Sequence, residues 1–231
     1  MKPKMNNFLL LMIIVLALMI MFIQKEQGVK QIKKSNSLNV MKLSTPKKRG
    51  DVSIEETIAK RRSVRDFKAA KLSSEQISQL LWAAQGITEK EKGLRSAPSA
   101  GGFYPIEIYA LFEEGVFHYI PQTHELDKIM NEDVRSKLCE VANGQESILS
   151  APLIILIAAV YERTTAEYSE RGIRYVHMES GHVAENIQLQ AVGLGLGSVP
   201  IGSFLDKDVS TILNLSANIK PLYIIPIGYP K

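Results

Sequence analysis

The sequence predicts an α+β fold, a mixed β-sheet surrounded by helices, and three observations carry that expectation. Residues Glu107 to Phe112 and Val116 to Ile120 are β-rich runs separated by Glu113-Glu114-Gly115, the pattern of a hairpin. Pro152 to Val160 is an unbroken apolar run, as a central strand buried on both faces requires. Thr165 to about Leu194 reads as one long helix with a break near Gly172. Because strands and helices are interspersed and the hairpin is antiparallel, the class is α+β.

The remaining elements follow in chain order. Ser53-Ile54-Glu55-Glu56 has the form of a capping box, opening a short helix that runs to about Arg61. Ser73-Ser74-Glu75-Gln76 repeats the signal and opens a longer helix whose Ile77, Leu80, Leu81 and Ala84 share one side, with Gly86 closing it. The segment "DVRSKLCEVAN" predicts a helix with Val134, Leu138 and Val141 on its apolar side. Its Cys139 is the one cysteine of the chain, so an intrachain disulfide and a thiolate zinc site are both excluded, and a buried structural thiol is expected. Leu222 to Tyr229 predicts a last strand.

Charge is unevenly spread over the 231 residues. The first 50 residues carry ten Lys or Arg against Glu26, a balance of +9, whereas the remainder has 18 basic and 23 acidic residues, or −5. The basic pI near 9.0 therefore belongs to the leader and is no sign of nucleic-acid binding. Within that leader Phe8 to Ile23 is sixteen apolar residues in a row, about 24 Å as a helix. It lacks a small-x-small cleavage site, so the expectation is an uncleaved N-terminal transmembrane helix. The chain then divides into residues 1–24, a membrane anchor or signal segment, 25–50, a basic tether, and 51–231, the folded domain. Lysines after the apolar stretch outnumber those before it, which places the domain on the cytoplasmic side, with an exported domain as the alternative.

Three strings are candidates for chemistry. "RRSVRDF", Arg61 to Phe67, puts three guanidiniums and a hydroxyl within five residues, a fork of donors suited to a phosphate monoester. Alone it reads more readily as a solvated basic turn. "APSAGGFYPIEIY", Ala97 to Tyr109, places small residues directly before a strand, where the backbone can approach a flat ligand closely. "GLGSVPIGSF", Gly195 to Phe204, combines glycines with a proline after the long helix.

Together with "LLWAAQGIT", "GVFHYIPQTHEL", "APLIILIAAVYERT", "MESGHVAENIQLQAVGLGLGSVPIGSF" and "PLYIIPIGYP", these strings resemble the nitroreductase family, in its SagB-type branch of thiazoline and oxazoline dehydrogenases. The likeness runs from about Pro46 to Tyr229. It implies a nitroreductase-like domain over 51–231 and a homodimer with flavin mononucleotide (FMN) at the subunit interface. By that resemblance Arg61, Arg62, Ser63 and Arg65 hold the flavin phosphate and ribityl chain. Pro98, Ser99, Ala100 and Gly101 come from the opposite subunit beneath the ring, and Pro200, Ile201 and Gly202 lie against its N5 edge. A basic residue after the last strand also meets the phosphate in many relatives; here the chain stops at Lys231, which supplies that contact or leaves it absent.

The resemblance also implies hydride transfer between NADH or NADPH, or a small organic or peptide substrate, and an acceptor. No acid or base is assigned, because the flavin carries the hydride. Arg174-Tyr175 on the long helix is the candidate substrate-side pair. The alternative is a membrane-tethered flavin-binding module without turnover. Three other patterns are set aside. "GLGLG", Gly193 to Gly197, ends a helix instead of linking a strand to one, so it is not a dinucleotide fingerprint. His177 and His182 diverge by about 140° on a helix, which leaves no metal site. Ser180 lies inside a helix and forms no nucleophile elbow.

Overall fold

A computed structural model describes residues 40–231. Its strands are β1 (Val40–Lys42), β2 (Ile87–Glu89), β3 (Leu94–Arg95), β4 (Ile106–Phe112), β5 (Gly115–Ile120), β6 (Glu125–Met130), β7 (Leu153–Val160), β8 (Gly197–Ser198) and β9 (Ile219–Gly228). Its helices are α1 (Ile54–Lys60), α2 (Ser74–Gln85), α3 (Arg135–Val141), α4 (Ser147–Ser150), α5 (Glu162–Tyr168), α6 (Arg171–Gly193) and α7 (Asp206–Ile212). Seven strands form one sheet in the order β1-β6-β5-β4-β7-β9-β8, and β2 and β3 pair separately. The pairings between these strands are antiparallel, and a parallel bridge between Ser63 and Ser198 makes the sheet mixed.

Alternation along the strands creates two cores. In β7 every residue is buried: Leu153, Ile155, Ile157 and Ala159 face one core, and Ile154, Leu156 and Ala158 the other. The first core is closed by Leu80, Leu81 and Ala84 of α2 with Val176, Val183 and Ile187 of α6. The second is closed by Leu138 and Cys139 of α3, Ile148 of α4 and Val209 of α7. The sheet is thus covered on both faces, which is what the apolar run over Pro152 to Val160 predicts.

Helix starts are set locally. Ser73 accepts from the Gln76 N–H at 3.2 Å while Gln76 Oε1 accepts from the Ser73 N–H at 2.9 Å, a complete capping box. At α1 only half of the expected box forms. Ser53 accepts from the Glu56 N–H, but the Glu56 carboxylate turns to Lys60 one helical turn on. The long helical stretch breaks at Ser169, where φ is +49°, three residues before Gly172. Gly172 matters for packing. A methyl group there would lie 2.9 Å from Thr165 Cα, so the glycine lets α5 fold back against α6.

Several sequence expectations need correction. The apolar stretch Phe8–Ile23 lies outside the described residues, and among the described residues no helix is long and apolar enough to cross a membrane. The described residues thus form their fold without the expected transmembrane helix, and the membrane anchoring and cytoplasmic placement inferred from it are not carried further. Residues 40–50, read as tether, belong to the folded unit: β1 pairs with β6, and the Lys47 N–H donates to Gln79 Oε1 at 2.8 Å. The expected homodimer is not carried further, since the described residues belong to one chain and define no subunit interface.

Candidate functional site

Arg61 caps the C-terminus of α1, its N–H donating to Thr57 O at 2.9 Å, and from there the chain runs extended to Phe67. Two anchors hold this run to the sheet edge. The Val64 N–H donates to Ser198 O at 3.0 Å beside the Ser63–Ser198 bridge. A methyl group on Gly197 would lie 2.6 Å from Val64 Cβ, so the approach is closed to any larger residue. At the other end Phe67 is buried and bridges Pro230, and the Lys68 N–H donates to Tyr229 O at 2.8 Å.

The same pairing brings in the chain end, because the Lys231 N–H donates to Asp66 O at 3.2 Å. Lys231 thus lies beside the segment that carries Arg61, Ser63 and Arg65. Pro200, Ile201 and Gly202 follow Ser198 directly. Ile201 exchanges two backbone hydrogen bonds with Ile224, at 2.8 and 2.9 Å, and is buried, while Gly202 is exposed. The fold therefore gathers two of the three predicted strings and the terminal lysine at one sheet edge.

The charges of this edge are lightly engaged. Arg61, half-buried, has Glu185 of α6 at 3.8 Å and donates to Gln188 Oε1 at 3.5 Å. Arg65 and Lys231 make no ion pair among the described residues. Arg62 differs: its guanidinium donates to Ala59 O at 3.0 Å and to Arg61 O at 2.6 Å, where it caps the carbonyl end of α1. Three cations and the Ser63 hydroxyl remain as a donor set whose chemistry fits a dianionic phosphate monoester.

Pro98, Ser99, Ala100 and Gly101 sit elsewhere. Ala100–Gly102 is a single 3₁₀ turn in which Gly101 and Gly102 have φ of +62° and +69°. A methyl group on Gly101 would lie 2.4 Å from the Phe103 ring, so glycine is required there twice over. Ser99 Oγ accepts from the Tyr104 N–H at 2.8 Å and lies close enough to the Glu179 carboxyl of α6 to favour its charged form. Arg61 meets α6 at Glu185 and Gln188, six or more residues further on, about 9 Å along the axis. This chain does not bring the loop and the arginines into contact.

Arg174 and Tyr175 also part company. Arg174 lines an open hollow of about 540 Å³ with Glu170, Ile173, His177 and Met178. Tyr175 turns edge-on to Tyr168, with ring centroids 5.1 Å apart, and has the Arg171 guanidinium 6.0 Å over its ring. His177 is hydrogen-bonded to Tyr161 Oη.

Two polar clusters were not anticipated. Glu179 is 3% exposed, and burial pushes its carboxyl up to about 7 against the opposing effects of Ser99, Gln85 and Arg95. Gln85 Nε2 donates to it at a long 3.5 Å, and Gln85 Oε1 accepts from Arg95 at 3.2 Å. Nearby, Glu107 of β4 lies 2.6 Å from His118 Nε2 and is paired with Arg163. Burial pushes its carboxyl up, but His118 and Arg163 together outweigh that and hold it below the usual carboxylate range. One signal for Glu179 was available: at helical spacing it stands between Val176 and Val183 on the buried side of α6, where a carboxylate has no solvent.

A mixed sheet with helices on both faces defines an α+β protein, and its basic edge carries donors whose chemistry suits a phosphate. The comparison with known proteins makes this specific. The model of the Nitroreductase family matches residues 58–229, and the chain belongs to that family. It is similar to the nitroreductase homologue MJ1384 of Methanocaldococcus jannaschii, 44% identical over 184 residues that cover 77% of this chain and 91% of the relative. It is similar also to a crystal structure of a nitroreductase homologue from Ralstonia eutropha, with a TM-score of 0.77 and 27% identity over 85% of this chain and 92% of that one. The microcin B17-processing protein McbC of Escherichia coli is 27% identical over 166 residues, 67% of this chain and 61% of the relative. Membership places the chain among oxidoreductases.

Proposed function

We propose that this chain is an FMN-dependent oxidoreductase that moves hydride between NADH or NADPH and a small organic acceptor. The observation that carries the reading is the convergence of Arg61, Ser63, Arg65 and Lys231 beside Pro200–Gly202 at the sheet edge, within a nitroreductase-family fold. FMN, when bound, supplies the hydride chemistry, which is why no acid–base pair is needed in the protein. Arg61, Arg65 and Lys231 hold the phosphate dianion, and Ser63 adds a hydroxyl donor. Arg62, turned onto the end of α1, orients the segment without touching the ligand. Gly202 offers an exposed backbone N–H, and Pro200 an apolar surface, to the flavin ring. The Pro98–Gly101 loop is a proposed ring contact on the strength of its exposed left-handed glycines.

The finer azoline-dehydrogenase branch rests on the resemblance of the sequence strings, and the likeness to the microcin B17-processing protein McbC covers 61% of that protein. Reduction of an acceptor by a nicotinamide is therefore the primary reading. The test is an anaerobic titration of the FMN-loaded full-length protein with NADPH and NADH. Bleaching of the flavin bands within seconds, and their return when a quinone or nitroaromatic is added, is the expected result. A flavin that stays oxidised through excess of both nicotinamides would overturn the reductase assignment.

A further inference from the structure

Glu179 is a buried carboxyl that the proposed reaction does not use. It lies near the meeting point of three elements: Gln85 donates to it at 3.5 Å, Arg95 donates in turn to Gln85 at 3.2 Å, and Ser99 and the Arg95 charge both favour its ionised form. Gln85 comes from the end of α2, Arg95 from β3, and Ser99 from the turn that opens the Ala100–Gly102 loop. These partners are themselves joined to Tyr104. The Arg95 N–H donates to Tyr104 Oη at 3.1 Å, the Arg95 guanidinium lies 4.5 Å over the Tyr104 ring, and the Tyr104 N–H donates to Ser99 Oγ at 2.8 Å. Both ends of the loop from Ser99 to Tyr104 are thereby linked, through Arg95 and Gln85, to one carboxyl.

We propose that Glu179 is a positioning residue: through Ser99, Gln85 and Arg95 it latches the Ser99–Tyr104 loop onto α6, and loss of its proton releases the latch. The physical reason is solvation. Closed, the loop helps keep Glu179 at 3% exposure, where a charge is poorly solvated; opening admits water and stabilises the carboxylate. The group faces one formal charge directly, Arg95. Glu107 and Arg163 act on Arg95 in turn, one supporting and one opposing its charge, and Tyr104 supports it. α2 contributes only the neutral Gln85, and the loop only Ser99. The latch stands on the observed contacts; its consequence for catalysis rests on the proposed reading that this loop meets the flavin ring.

Proton linkage gives the size of the effect. A carboxyl at about 7 when closed and near 4.5 when open makes opening about tenfold more favourable at pH 8.5 than at pH 6. The test is hydrogen exchange by mass spectrometry on the full-length chain, with and without added FMN, corrected for the intrinsic pH dependence of exchange. Peptides spanning Ser96–Pro105 are expected to lose about tenfold in protection between those pH values, while peptides from β7 change less. In Glu179→Gln, which keeps the shape and cannot ionise, the loop keeps its pH 6 protection at both values. Ser99→Ala removes one tie and lowers protection at both. The proposal is overturned if Glu179→Gln shows the same fall as the unaltered chain, or if the fall is uniform across all peptides. Because the exchange is read without flavin as well, a chain that never binds FMN leaves the latch tested and refutes only the proposed function.

Discussion

Replacing Gly197 by Ala tests whether the sheet edge positions the arginine segment. The added methyl group would stand 2.6, 2.7 and 2.9 Å from Val64 Cβ, Cγ2 and Cγ1. The clash is with Cβ itself, so no rotation of Val64 relieves it, and the backbone of Val64 must move. That movement breaks the bond from the Val64 N–H to Ser198 O, now 3.0 Å long. Overpacking of this kind costs about 1–3 kcal/mol and the lost hydrogen bond about 1 kcal/mol, so about 2–4 kcal/mol is expected. Urea unfolding followed by circular dichroism measures it, and FMN content measures displacement of Arg61 and Arg65. The control is the same change in a Val64→Gly background, where the colliding atoms are gone and Gly197→Ala should cost at least about 1 kcal/mol less. Equal costs in the two backgrounds, or a Gly197→Ala protein with unaltered stability and flavin content, would refute the positioning argument.

Two other perturbations address neighbouring features. Glu107→Gln strips Arg163 of its counter-charge, replaces the carboxylate that bonds His118, and should cost about 1–3 kcal/mol at pH 7, read by urea unfolding. Because Glu107 is held below its ordinary value, its stabilisation is present above about pH 4.5 and is lost as pH falls through the lower native value. The acid limb of the stability profile should therefore be shallower in the variant, and an unchanged limb would contradict the pairing. Gln79→Ala removes the clip that donates to Lys47 O at 3.1 Å and accepts from the Lys47 N–H at 2.8 Å. Tryptic cleavage at Lys47, Lys48 and Arg49 should quicken about tenfold, the equivalent of one lost restraint of about 1.4 kcal/mol.

Much of the fold was legible because local rules and burial agree. The run over Pro152 to Val160 had to be an interior strand, since nothing in it tolerates water, and the Ser73 box fixed the start of α2. β6 was missed because Glu125, Asp127 and Lys128 interrupt its apolar alternation, and β1 because three residues carry no periodicity. The site was legible in part. Arg61, Ser63, Arg65 and Lys231 share an edge, and their convergence depends on pairings with Ser198 and Tyr229, far away in sequence. No spacing rule distinguishes Arg62 from Arg65; the turn of the chain at the end of α1 does so. Glu179 could have been suspected from its place between Val176 and Val183 at helical spacing, yet its partners Gln85, Arg95 and Ser99 come together only in three dimensions.

The central claim is that the cationic edge recognises the phosphate of FMN, and riboflavin, which has the same ring and no phosphate, isolates that contribution. Equilibrium binding of both flavins to the unaltered chain and to Arg61→Ala/Arg65→Ala, followed by quenching of flavin fluorescence, is the direct measurement. Two charge-assisted contacts of roughly 1.5–3 kcal/mol each correspond to a preference of about 10²–10⁴ for FMN over riboflavin. The account expects that preference in the unaltered chain and its collapse in the double variant, with riboflavin affinity left as it was. Equal binding of the two flavins by the unaltered chain, or a preference that survives loss of both arginines, would contradict it.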